Sequence, residues 1–180
     1  MSLDSVELVM SWEESFGISI TDAEAETLST ARTAIDLISR KLGAVDTPAS
    51  CCLTLRAFNR LRHAIATAAA VPRQQIRPDA RLRDLLPRAE RRAAWDTIRT
   101  VSGFSALPSL SGGRGWLFLP ITLSDAMLWI VAHASRLLKP PDKPWTRGEI
   151  RTGVRAAISE TSGLKHFSDD DHIVRDLGIG

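Results

Sequence analysis

Few side chains in this 180-residue chain combine a reactive type with a telling position. Ser2 is the first of them. Its hydroxyl stands just ahead of a stretch with helical periodicity, at an N-cap position. A phosphate ester there would face backbone N–H groups without intrahelical partners and the positive end of the helix dipole. His166 and His172 flank Asp169-Asp170-Asp171, which are donor types that a metal can use. Gly112-Gly113-Arg114-Gly115 lacks the Lys-Ser/Thr pair of a phosphate loop and reads as a turn. Cys51 and Cys52 are adjacent and alone, so they build neither a disulfide framework nor a zinc site. His63 and His133 fall inside helical stretches and read as packed or surface histidines. No spaced triad or carboxylate pair is visible, so catalysis is not expected of these residues.

The elements that must position these groups are helices. Leu3, Val6, Val9, Met10 and Phe16 recur at helical spacing, and Gly17 stops that helix. Ile18 and Ile20 then alternate with polar residues in a short extended loop. Asp22 is the expected cap of a short helix reaching Leu28. Ser29 or Thr30 caps another, with Ala31, Ile35, Ile38 and Leu42 on one face and Gly43 at its end. Residues 55–104 are arginine-rich and helical, with breaks at Pro72, Pro78 and Pro87. A Gly-, Ser- and Pro-rich loop over 105–115 precedes an apolar helix from about Ser124, with Met127, Leu128, Val131, Ala134 and Leu138 on one face. Thr146-Arg147-Gly148-Glu149 is a capping box, flanked by Trp145 and Ile150 at the staple positions. Ile150, Val154, Ala157 and Ile158 form the buried face of that last helix, which Gly163 ends.

Charge is uneven. Residues 1–43 hold eight acids against three bases, a net −5, which leaves +7 for the remainder. Eleven arginines stand against four acids in 56–99. Without a helix-turn-helix pattern or interleaved aromatics, this block reads as a docking or solvated surface and not as a nucleic-acid site. Residues 116–138 contain Pro120, Asp125 and His133, so no membrane span is expected. The first residues are acidic and amphipathic, unlike a secretory leader, and a cytoplasmic location is expected.

Ser2-Leu3-Asp4-Ser5-Val6-Glu7-Leu8-Val9-Met10, then Glu13-Glu14-x-Phe16-Gly17-Ile18-x-Ile20-x-Asp22 and Thr30-x-x-x-Ala34-Ile35-Asp36-x-Ile38, resembles the acyl carrier protein family from its modified serine to its last helix. The family's first helix normally precedes the serine. Here Glu149-Ile150-x-x-x-Val154-x-x-x-Ile158 resembles that helix. Asp169 through Asp176-Leu177-Gly178 resembles the loop that leads into the serine. The implied fold is all-α: a four-helix carrier domain from residues 1–43 and 146–180, circularly permuted, with an arginine-rich helical insert at 50–145. The C-terminal helix could pack on its own chain or on a neighbour's, giving a domain-swapped homodimer.

The resemblance implies a 4'-phosphopantetheine arm on Ser2 that holds acyl or related thioester intermediates for fatty-acid, polyketide or similar synthesis. It implies a phosphopantetheinyl transferase and acyl-processing enzymes as partners. Leu3, Glu7, Met10, Glu13 and Glu14 are the implied partner-reading surface. It also accounts for the acidic 169–171 loop without a metal. Met1 stands where the family has an aspartate, and Gly180 is the nearest counterpart from the other end. The rival reading is a carrier-fold interaction module that is never modified. A weak internal repeat adds to the picture: Leu61, Ile65, Asp79, Leu82 and Asp84-Leu85 match Val154, Ile158, Asp170, Ile173 and Asp176-Leu177 in kind and order. In the insert, Pro87-Arg88 occupies the place of a carrier serine.

Overall fold

The computed structural model describes residues 3–46, 52–104, 107 and 122–180. Ser2, Cys51 and Gly112–Gly115 lie outside the described residues. Eight helices occur among those described: α1 (Leu3–Phe16), α2 (Asp22–Ala25), α3 (Ala31–Lys41), α4 (Leu53–Ala69), α5 (Leu82–Leu85), α6 (Arg91–Ser102), α7 (Leu123–Leu138) and α8 (Arg147–Ser162). The protein is all-α. Three isolated bridges, Thr30 with His172, Val45 with Thr146 and Arg81 with Thr122, replace any sheet among these residues.

The chain divides into two compact units, Met1–Leu53 with Val131–Gly180, and Thr54–Ile130. In the first unit, α8 packs on both α3 and α1 of the same chain. Its core joins Leu8, Trp12 and Phe16 of α1, Ala34, Ile35 and Ile38 of α3, and Ile150, Val154 and Ile158 of α8. Phe16 meets Trp145 edge to face at 5.4 Å between centroids. Gly153 lets α1 come this close, since a Cβ there would lie 2.6 Å from Phe16 Cζ and 2.9 Å from Ser135 Oγ.

Local chemistry explains the helix ends. Gly17, Gly43 and Gly163 take positive φ values of 68°, 58° and 72°, a region that costs an L side chain energy. The Thr146–Glu149 capping box forms as the sequence predicts, and both residues are buried. Thr30 caps α3. The short helix departs from expectation: Thr21, not Asp22, is its cap, and Glu24 closes the box. A box needs its acceptor three residues before the acid, which Thr21 satisfies for Glu24. The helix also ends at Ala25, short of Leu28.

The last part of α7 belongs to the first unit and is bent. Ala134 has non-helical φ and ψ of −142° and 28°. The buried Ser15 hydroxyl donates to Val131 O at 3.4 Å and accepts from Ser135 N at 3.1 Å. It thus stands in the place of the helical hydrogen bond between those two backbone groups, an insertion that kinks a helix. Leu128, expected on the buried face of this helix, is half-exposed, whereas Met127, Val131, Ala134 and Leu138 are buried.

The second unit has its own core, with Leu61 and Ile65 of α4, Leu82 of α5, Trp95 and Ile98 of α6, and Leu123 and Ile130 of α7. Gly103 ends α6 at φ 70°. Ala70 ends α4 at φ 50°, a non-glycine in the left-handed region.

Candidate functional site

The start of α1 is where sequence-distant parts meet. The chain from Asp176 to Gly180 runs up to the first turns of this helix. Ser5 Oγ donates to Ile179 O at 3.2 Å, and Ile179 N donates to Ile173 O at 3.1 Å. Leu177 and Ile179 are buried. Gly178 turns the segment at φ 70°.

The loop ahead of this segment is held rigidly. Asp169 accepts from both Arg151 and Arg155 of α8, and the Arg155 guanidinium lies 4.0 Å over the Phe167 ring. Burial would raise the Asp169 carboxyl, but the hydrogen bonds from Arg151 and Arg155 overcome it and hold the group below its ordinary value. Arg32 of α3 grips Asp170 at 2.7 Å through its second nitrogen and holds that carboxyl low as well. Arg32 N also donates to Asp169 O at 2.8 Å, and Ile173 N to Ser29 O at 2.8 Å. Asp171 accepts from Ser168 N at 2.7 Å. His172 Nδ1 accepts from Val174 N at 3.2 Å, and His166 is exposed. The acids between the two histidines thus face arginines and the backbone.

Beside this junction lies a cleft of about 410 Å³. Leu8, Val9, Trp12, Ala25, Leu28 and Ile173 supply its apolar walls, and Ser5 and Gly180 stand at its edge. Its two sides are α1 and the 25–29 segment. The second side is fixed by Glu24, which pairs with Lys41 of α3 at 2.7 Å. That hydrogen bond, with those from Thr21, lowers the Glu24 carboxyl to about 2.

Of the residues singled out in the sequence, Ser2 lies outside the described residues, immediately before the first residue of α1. Leu3 and Met10 are 73% and 59% exposed, large values for apolar side chains. Glu7 and Glu14 are exposed on the same helix. Glu13 is turned toward its own chain: its Oε1 accepts from Ile20 N at 2.6 Å and closes the loop after α1. Ser5, Trp12 and Ile179 were not singled out. Ser5 and Trp12 read as ordinary helix positions, and Ile179 acquires meaning only when the two ends of the chain are placed together.

No family model matches the chain, and no solved structure matches it. Curated relatives do. Acyl carrier protein of Thermosynechococcus vestitus is 54% identical over 43 residues, which is 24% of this chain and 53% of that protein. Acyl carrier proteins of two Buchnera aphidicola strains are 52% identical over 40 residues, 22% of this chain and 50% of theirs. Part of this chain is similar to acyl carrier protein. The chain spans about half the length of these relatives. No helix among the described residues is long and apolar enough to cross a bilayer.

Proposed function

We propose that residues 1–43 and 146–180 form one carrier domain that bears 4'-phosphopantetheine on Ser2 and holds acyl or related thioester intermediates for fatty-acid, polyketide or similar synthesis. The observation that carries this reading is the hydrogen bond from Ser5 to Ile179. It brings Asp176-Leu177-Gly178 to the first turn of the helix that follows Ser2. The carrier motif is thus reassembled from stretches that stand in the opposite order along the chain. In this reading the domain is circularly permuted, and the second unit, Thr54–Ile130, forms the body of the insert expected at 50–145.

The start of α1 fits such a group. Ser2 directly precedes the helix, so its phosphodiester would meet first-turn N–H groups and the positive dipole end. Leu3 and Asp4 are exposed and leave room for an arm. When bound, the group supplies a thiol for thioester formation. The protein's own residues anchor the arm, and the neighbouring cleft offers an apolar wall of Leu8, Val9, Leu28 and Ile173 that can shelter cargo from water. The exposed Leu3, Glu7, Met10 and Glu14 form a mixed apolar and acidic face for phosphopantetheinyl transferase and acyl-processing enzymes.

Intact-mass analysis after co-expression with a broad-specificity phosphopantetheinyl transferase tests this reading. The expected result is one phosphopantetheine adduct, mapped to Ser2 and absent from Ser2→Ala. An unmodified wild-type chain overturns it in favour of a carrier-fold docking module.

A further inference from the structure

The second unit repeats the backbone pairing of the first. In the first, Thr30 caps α3 and bridges His172; Ile173 N donates to Ser29 O at 2.8 Å, and Arg32 N donates to Asp169 O at 2.8 Å. In the second, Thr122 stands at the start of α7 and bridges Arg81; Leu123 N donates to Ala80 O at 3.0 Å, and Ser124 N donates to Pro78 O at 2.8 Å. The Arg32–Asp169 and Ser124–Pro78 bonds sit at the same offsets from their bridged pairs, whereas the neighbouring ladder bond lies on opposite sides of the bridge in the two units. Thr122 also pairs with Asp125 as Thr30 does with Thr33. Left-handed residues end the matching helices: Ala70 and Gly163 after α4 and α8, Gly103 and Gly17 after α6 and α1.

The units differ in what they present. Counting back from the glycine stop, Arg88 takes the place of Ser2, so the second unit has no hydroxyl there to modify. Around it, Arg81, Arg83 and Arg92 are also exposed, and Arg91 binds Arg83 O at 2.9 Å, which ties the start of α6 to α5. Among the described residues, Arg88 and Arg92 make no ion pair. The first unit carries sixteen acids against eleven bases, a net −5, and the second carries twelve bases against five acids, a net +7. The acids Asp4, Glu7 and Glu14 are exposed along α1, interspersed with exposed Leu3 and Met10. That is the complement of an arginine face: carboxylates for charge-assisted hydrogen bonds and apolar groups to cover the arginine stems.

We propose that the second unit is a cargo-free copy of the first unit's fold, and that its arginine stretch 81–92 docks the acidic α1 face of a second copy of this chain. The contact is heterologous, one face against a different face, so each molecule can both give and receive. It is electrostatic at its rim and therefore salt-sensitive. It needs exposed α1 and not a modified Ser2, which separates it from the carrier reading.

Size measurement by light scattering and sedimentation tests it. At about 10 mM salt, where the Debye length is about 30 Å, the full chain self-associates with rising concentration. At about 1 M salt, where that length is about 3 Å, it is monomeric. Arg88→Glu with Arg92→Glu abolishes association at low salt, and so does Glu7→Lys with Glu14→Lys. Mixing the two double variants restores association, because the unaltered acidic α1 of one then meets the unaltered arginine stretch of the other. Ser2→Ala associates like the wild type, whatever the mass analysis of Ser2 shows. A wild-type monomer at low salt, or association that the charge reversals leave unchanged, overturns the proposal.

Discussion

Ser5 and Ile179 are 174 positions apart, yet the Ser5 hydroxyl donates to the Ile179 carbonyl at 3.2 Å. This bond fastens the terminal segment to α1, so its removal acts on the segment first. Ser5→Ala leaves a half-buried carbonyl one donor short and costs about 1 kcal/mol. The expected signature is local. Hydrogen exchange at Ile179 N, which is bonded to Ile173 O, accelerates more than exchange in α8. Equal acceleration in both places means that the bond does not selectively hold the segment.

The kink in α7 makes a second prediction. Ser15 Oγ serves Val131 O and Ser135 N together, and both serines are fully buried. Ser15→Ala strips the Ser135 N–H of its acceptor in a dry site, a loss of about 1–3 kcal/mol. Straightening of the helix at Ala134 is the only way to recover that bond internally. The denaturant midpoint of Ser15→Ala should fall clearly below that of Ser11→Ala, where the hydroxyl is only partly buried and no contact is as short as the 3.1 Å bond from Ser135 N to Ser15. Equal midpoints would show that water replaces the Ser15 hydroxyl.

What could be read from the sequence was local. Gly17, Thr30, Gly43 and the Thr146 box act within a turn or two of themselves, so their residue types specify their geometry. The start of α1 could be read for the same reason, because a dense string of residues carries it. Thr21 was missed because Asp22 is an equally good cap by type, and only the position of Glu24 decides between them. Glu13 looked like another surface acid, but the loop after Gly17 brings Ile20 N–H back to it. The Ser15 bridge left no trace in periodicity, since a buried serine at a helical position resembles a small core residue until the partner helix is known. The match between the units was visible as a faint echo of Asp-Leu endings. Its force comes from paired backbone bonds, which side-chain identities such as Arg81 and His172 do not encode.

The loop that leads to Asp176 depends on charge, and the dependence has a definite sign. Asp169 is nearly buried between Arg151 and Arg155, and these bonds hold its folded-state carboxyl below the ordinary 3.8. A carboxyl depressed on folding stabilises the native state above its unfolded value. That stabilisation is lost as pH falls through 3.8 toward the lower folded value. Asp170 with Arg32 and Glu160 with His133 are depressed in the same direction, so the acid limb is shared. Asp169→Asn keeps the size but loses the charge, and costs about 2 kcal/mol near neutrality, less to the extent that exposed Arg151 is screened. Its melting temperature should therefore lie below wild type at pH 7 and approach it as pH falls below 3.8. Parallel curves across that range would mean that the carboxylate does not hold the loop. High salt separates the contributions, because it weakens the exposed Arg32–Asp170 pair more than the partly buried Asp169 cluster.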